Sequence, residues 1–106
     1  MKVKNMTSSR GNKVANQFII DGVPNNINTP LYIATCKKGM TAADGIVFQS
    51  YSSIICWKCH RVVVLDRDKW DCSRTTGKYR NQFLGETKRE TQKKIDNGEY
   101  ILVDLN

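Results

Sequence analysis

A chain of 106 residues, 40% hydrophobic and 25% charged, has the size and composition of one folded domain with a modest core. No apolar run approaches the ~20 residues of a membrane-crossing helix, and the basic start MKVKNMTSSRGNK has no apolar stretch behind it, so a membrane or secretory role is not expected. The formal net charge of +7 favours polyanionic partners (nucleic acid, a nucleoprotein or an acidic protein face), although simple solubility explains a charge of this size equally well.

Residues 1–13 carry Lys2, Lys4, Arg10 and Lys13 with no acid and no repeating apolar pattern. They read as a flexible basic arm ahead of a single domain over 14–106. Gln17–Ile20 is a short strand that stops at Asp21-Gly22. Val23–Pro30 reads as a loop, held open by two prolines and several asparagines. Leu31–Ala34 reads as a second short strand with Cys36 just beyond it, followed by loop from Lys37 to Gly45. Ile46–Phe48 is strand-like. Ser53–Cys56 and Arg61–Leu65 are β-branched on both sides of a four-residue gap, which predicts a hairpin with its turn at 57–60.

Beyond Ser73 the pattern becomes helical. Ser73 and Thr75 are capping types, Tyr79 and Phe83 stand four apart on one face, and Gly85 can stop a helix spanning 73–84. A second helix over 86–97 is supported by the four-apart pair Glu90 and Lys94 and closed by Asn97-Gly98. Tyr100–Val103 is a last strand. The expected class is α+β: a small antiparallel sheet with two helices in the C-terminal half.

The four cysteines, Cys36, Cys56, Cys59 and Cys72, have the spacing C-x19-C-x2-C-x12-C. In a reducing cytoplasm, the expected compartment, four thiols point to metal or catalysis before disulfides. A C-x2-C pair at a hairpin tip would present two thiolates to a structural Zn ion, and Cys36 and Cys72 would complete a closed tetrahedron. His60 competes as a fourth ligand, but it adjoins Cys59, and neighbours in an extended strand face opposite ways. A redox role for Cys-Trp-Lys-Cys fits less well, because such pairs open a helix in a βαβ unit and here a β-branched strand follows. Inert buried thiols are the third reading.

No nucleophile–base pair or phosphate-cradling glycine motif is recognisable, so the chain is expected not to be an enzyme. Two features suit a binding protein. On the predicted helix SRTTGKYRNQ, Arg74, Lys78 and Asn81 or Gln82 fall on one side, away from Tyr79 and Phe83, a face that could grip phosphates, against the plainer reading of a solvated helix face; Arg74, Lys78 and Arg80 are the expected partner-binding charges. Trp57, placed at the hairpin tip, would be available as an interface anchor. Trp70, among charges, is expected to pack on the sheet.

The segments NQFII, FQSYSSII and LDRDKWDCSRTTGKYRNQFLGET, with the closing GEYILVDLN, resemble a family of small uncharacterised proteins encoded by bacteriophages of Gram-positive hosts. Its most specific run is W-D-x-S-R-T-T-x-K-Y-R-N-x-F-L-G, and the resemblance spans roughly residues 12–106. The cysteines at the hairpin tip and at Cys72 depart from that pattern. The resemblance implies action in the host bacterial cytoplasm. In size and character the chain is also similar to anti-CRISPR proteins that block Cas9, an analogy and not a motif. The expectation is a phage inhibitor that binds a host protein, Cas9 or its nucleoprotein complex. The alternative is a phage nucleic-acid-binding accessory or regulatory protein that uses the basic helix.

Overall fold

The β-branched density seen in the sequence builds one sheet. In the computed structural model, which describes residues 1–106, the strands are β1 (Lys2–Thr7), β2 (Lys13–Pro24), β3 (Asp44–Ser50), β4 (Ser53–Cys59), β5 (Val62–Asp66) and β6 (Ile101–Val103). They lie side by side in sequence order. Every neighbouring pair is antiparallel except β5 and β6. A parallel pair needs a long crossover, and here it carries two helices, α2 (Arg74–Leu84) and α3 (Lys88–Asp96). A further helix, α1 (Thr29–Lys37), leaves β2 and covers the other side of the sheet. The class is α+β, as expected.

Strand alternation divides the core in two. Toward α2 and α3 the sheet turns Phe48, Cys56, Val63 and Leu65, which meet Tyr79, Phe83 and Tyr100. Toward α1 it turns Val47, Trp57 and Val64, which meet Leu31, Ala34 and Leu105. A bulge between β3 and β4 interrupts the rule in the core. Phe48 faces Cys56 and Gln49 faces Ile54, which leaves Ile55 as an extra residue, so Ile55 and Cys56 both enter the α2 side. Trp70 packs at the margin of that cluster, as expected.

The two predicted C-terminal helices stand close to their expected bounds because their ends are chemically marked. The Ser73 hydroxyl accepts the Thr76 N–H at 3.1 Å, and Gly85 takes the left-handed φ of 69° that ends α2. Thr87 and Glu90 form a reciprocal capping box at the start of α3.

Four expectations are corrected. Residues 2–7 are strand β1, paired with β2 and anchored by Met6, which is buried, so the segment is not a free arm. Leu31–Ala34 belongs to helix α1, not to a strand. Asn28 caps that helix by accepting the Leu31 N–H at 3.1 Å, and Pro30 sits in its first turn, where a missing N–H costs nothing. Nor is 23–30 a loop: Val23 and Pro24 end β2, Asn25–Ile27 is a 3-10 turn and Thr29 opens α1, and buried Asn25 ties the stretch down, its side chain donating to Thr35 Oγ1 at 2.8 Å and to the Thr41 carbonyl at 3.0 Å while accepting the Ala43 N–H at 2.9 Å. Finally, Cys59 pairs with Val62, so the β4–β5 turn is only His60-Arg61, with His60 at φ 54°. Residues 57–59 are strand, not turn.

Candidate anion-binding groove

The shorter turn changes the fate of the cysteines. Cys56 is fully buried among the α2-side residues, whereas Cys59, three positions along the same strand, packs on the α1 side. Two thiols on opposite faces of one strand cannot reach one ion. Cys36 is exposed on α1, and Cys72 is exposed just before α2, its thiol 3.7 Å from Thr76 Oγ1. His60 is exposed at the hairpin tip. The fold does not gather the four cysteines into the expected zinc tetrahedron, and no three His, Cys, Asp or Glu side chains converge elsewhere. Burial pushes the Cys56 thiol up to about 12, against the smaller opposing pull of Lys58 and Arg80.

Trp57 is displaced from its expected role by the same shift. It is 0% exposed, and its indole N–H donates to the Val23 carbonyl at 2.8 Å. Strand position 57 faces α1, so the ring fills the core and offers nothing to a partner.

The basic helix behaves differently. Arg74 and Lys78 are exposed on α2. Arg80 is not: its side chain is 1% exposed and works as an internal strut. Its Nη1 donates to the Trp70 carbonyl at 2.6 Å and to Asp71 Oδ1 at 3.2 Å, its Nη2 donates to Asn81 Oδ1 at 2.9 Å, and the guanidinium lies 5.1 Å from the Trp70 ring centre. A planar fork with several donors suits this bridging role. Lys88, the first residue of α3, reaches back to Asp71 Oδ2 at 2.6 Å. Partial burial works to raise the Asp71 carboxyl, but the hydrogen bonds and charges of Lys88 and Arg80 outweigh it and hold the group below its ordinary value.

These residues surround an open groove of about 630 Å³ at the start of α2, and none of its eight lining residues is hydrophobic. Arg74, Lys78, Arg80 and Lys88 face it against the single carboxylate of Asp71. Ser73, the N-cap of α2, is among the lining residues. Beneath the helix, Thr76 Oγ1 meets Ser50 Oγ at 2.9 Å and Ser73 Oγ at 3.0 Å, which locks the N-terminal turn of α2 to the end of β3. The next residue, Tyr51, is 58% exposed at the β3–β4 turn with φ 54°. Sequence reasoning found Arg74 and Lys78 from the helical period. It missed Lys88, which only the α2–α3 turn brings into range.

The sequence matches a protein family of unknown function, DUF8033, over residues 1–99, and the chain belongs to that family. No curated protein and no solved structure matches it. No helix is long and apolar enough to cross a membrane.

Proposed function

We propose that this DUF8033 member is a binding module for a nucleic acid strand, held by its phosphates in the groove along the start of α2. The observation that carries the reading is the groove itself: wholly polar, open, and lined by four cations and one acid. Arg74 and Lys78 supply free exposed charge, Lys88 adds a cation held on Asp71, and Arg80 and Asp71 fix the floor. With Trp57 in the core, the reading as an inhibitor anchored on a host protein loses its aromatic anchor. An inhibitor of a Cas9-type nucleoprotein would instead meet the nucleic acid component through this same groove.

The test is binding of a labelled single-stranded oligonucleotide measured across salt concentrations. Affinity should fall steeply with salt, by about 0.7 in log–log slope for each phosphate neutralised. Reversing three charges together (Arg74→Glu, Lys78→Glu, Lys88→Glu) should weaken binding and flatten the slope by about 2, with the circular dichroism spectrum unchanged. A shallow slope in the parent protein, or an unchanged slope in the triple variant, refutes the assignment.

A further inference from the structure

The two edges of the sheet are protected unequally. At one edge β6 is three residues long, and the chain beyond it folds back. There the Leu105 N–H donates to Asp66 Oδ1 at 2.8 Å, and the Asn106 side chain exchanges two hydrogen bonds with the Ile54 backbone, at 2.7 and 2.9 Å. At the other edge β1 runs for six residues with no proline. Its inner side pairs with β2, and its outer side pairs with no strand. An open edge of this kind is a template for another strand.

The side chains say which strand would fit. Val3, 64% exposed, stands opposite Ile20, and Asn5 stands opposite Phe18. Directly paired residues share a face. Phe18 and Ile20 are only half-buried, because α1 packs over β5 and β6 at the far side of the sheet. On the reverse face Lys4 stands opposite Ile19, and Lys2 stands opposite Asp21. The edge therefore offers unpaired backbone, an apolar strip on one face and two ammonium groups on the other.

A second copy of the chain suits this edge poorly, because pairing two β1 strands would bring the Lys2 and Lys4 charges of both copies together. We propose that β1 docks an acidic extended segment of a partner protein, which adds as an outer strand. Alternation would set its apolar side chains on Val3, Phe18 and Ile20 and its carboxylates toward Lys2 and Lys4. This surface is separate from the groove and does not depend on what the groove binds.

The experiment titrates isotope-labelled protein with a synthetic peptide that alternates glutamate and valine. Amide exchange over residues 2–7 should slow, and shift changes should concentrate at β1, Phe18 and Ile20. Lys2→Glu with Lys4→Glu should bind this peptide about tenfold more weakly and should instead bind a lysine–valine peptide. N-methylation of the peptide amides that face β1 should abolish binding. The proposal is overturned if the acidic peptide does not bind, if its shifts map to the groove, if the N-methylated peptide binds equally well, or if β1 amides become protected with rising protein concentration alone, which would make the occupant a second copy.

Discussion

Replacing Gly45 with alanine probes the packing beneath α1. Gly45 is buried in β3, and the Trp57 indole lies against it. A methyl group there would overlap Cε2 of the ring, stand 2.5 Å from Cζ2 and 2.7 Å from the Lys58 carbonyl oxygen. Comfortable carbon contacts lie at roughly 3.5–4.0 Å. The ring is fully buried and its N–H is bonded to Val23 at 2.8 Å, so a shift of the ring works against that bond. The carbonyl belongs to the backbone of β4, so relief means moving a strand or breaking the indole bond. Overpacking costs about 1–3 kcal/mol, and orphaning the indole N–H and its acceptor adds about 1 kcal/mol. We expect a loss of about 2–4 kcal/mol, a large share of the roughly 5–15 kcal/mol that holds a domain together. In urea the midpoint should fall with the slope unchanged. Trp57→Phe removes the second ring, so the double variant should recover at least about 1 kcal/mol relative to the sum of the single losses. A Gly45→Ala protein within about 0.5 kcal/mol of the parent, or strict additivity in the cycle, would refute the reasoning.

Three other outcomes are expected. In the native protein a maleimide should modify exposed Cys36 and Cys72 quickly and Cys56 only after unfolding; native labelling of Cys56 would contradict its burial. Arg80→Ala should cost about 2–4 kcal/mol through lost packing and hydrogen bonds, while Arg74→Ala stays within about 0.5 kcal/mol; equal losses in thermal melts would remove the distinction between strut and surface charge. Stability should also decline at both ends of the pH range through the Glu86–Lys94–Tyr100 cluster, in which Glu86 Oε1 accepts from Lys94 and from Tyr100 at 2.8 Å each. Partial burial works to raise the Glu86 carboxyl, but bonds from Lys94, Thr91 and Tyr100 bring it below its ordinary value, so its contribution is full above the unfolded value of 4.5 and is lost as pH falls through the folded one. Burial and Glu86 push the Tyr100 hydroxyl from 10.0 up to about 12, so that contribution is full below 10.0 and is lost as pH rises toward 12. Glu86→Gln should flatten both limbs, and unchanged limbs would show that the cluster carries no pH dependence.

The parts of the fold legible in the sequence are those with local chemical marks. Val62–Val64 is β-branched throughout, Ser73 and Gly85 punctuate α2, and Asn97-Gly98 closes α3. What misled are residues whose local meaning depends on distant partners. Pro30 reads as a breaker until Asn28 is seen to cap a helix around it. Lys2, Val3 and Lys4 read as a polar arm because a strand at a sheet edge leaves most of its side chains in solvent and needs only Met6 to face the core. For the candidate site, the cysteine pattern depended on a turn length. A four-residue tip would have aimed Cys56 and Cys59 together, whereas a two-residue tip returns both to a strand and sends them to opposite faces. Trp57 moved from surface to core for the same reason.

Folding should reach the groove last. β3, β4 and β5 meet through tight turns, β1 and β2 through a short loop, and β2 reaches β3 by way of α1, so most of the sheet can assemble from contacts close in sequence. β6 joins β5 only when the chain from Asp66 to Ile101 has closed as one large loop, and loop closure costs more entropy as the loop lengthens. That loop holds Arg74, Lys78, Arg80 and Lys88. A chain stalled with its first five strands paired would be nearly a complete sheet and still lack its anion grip, so recovery of oligonucleotide binding during refolding should trail the recovery of β-sheet signal.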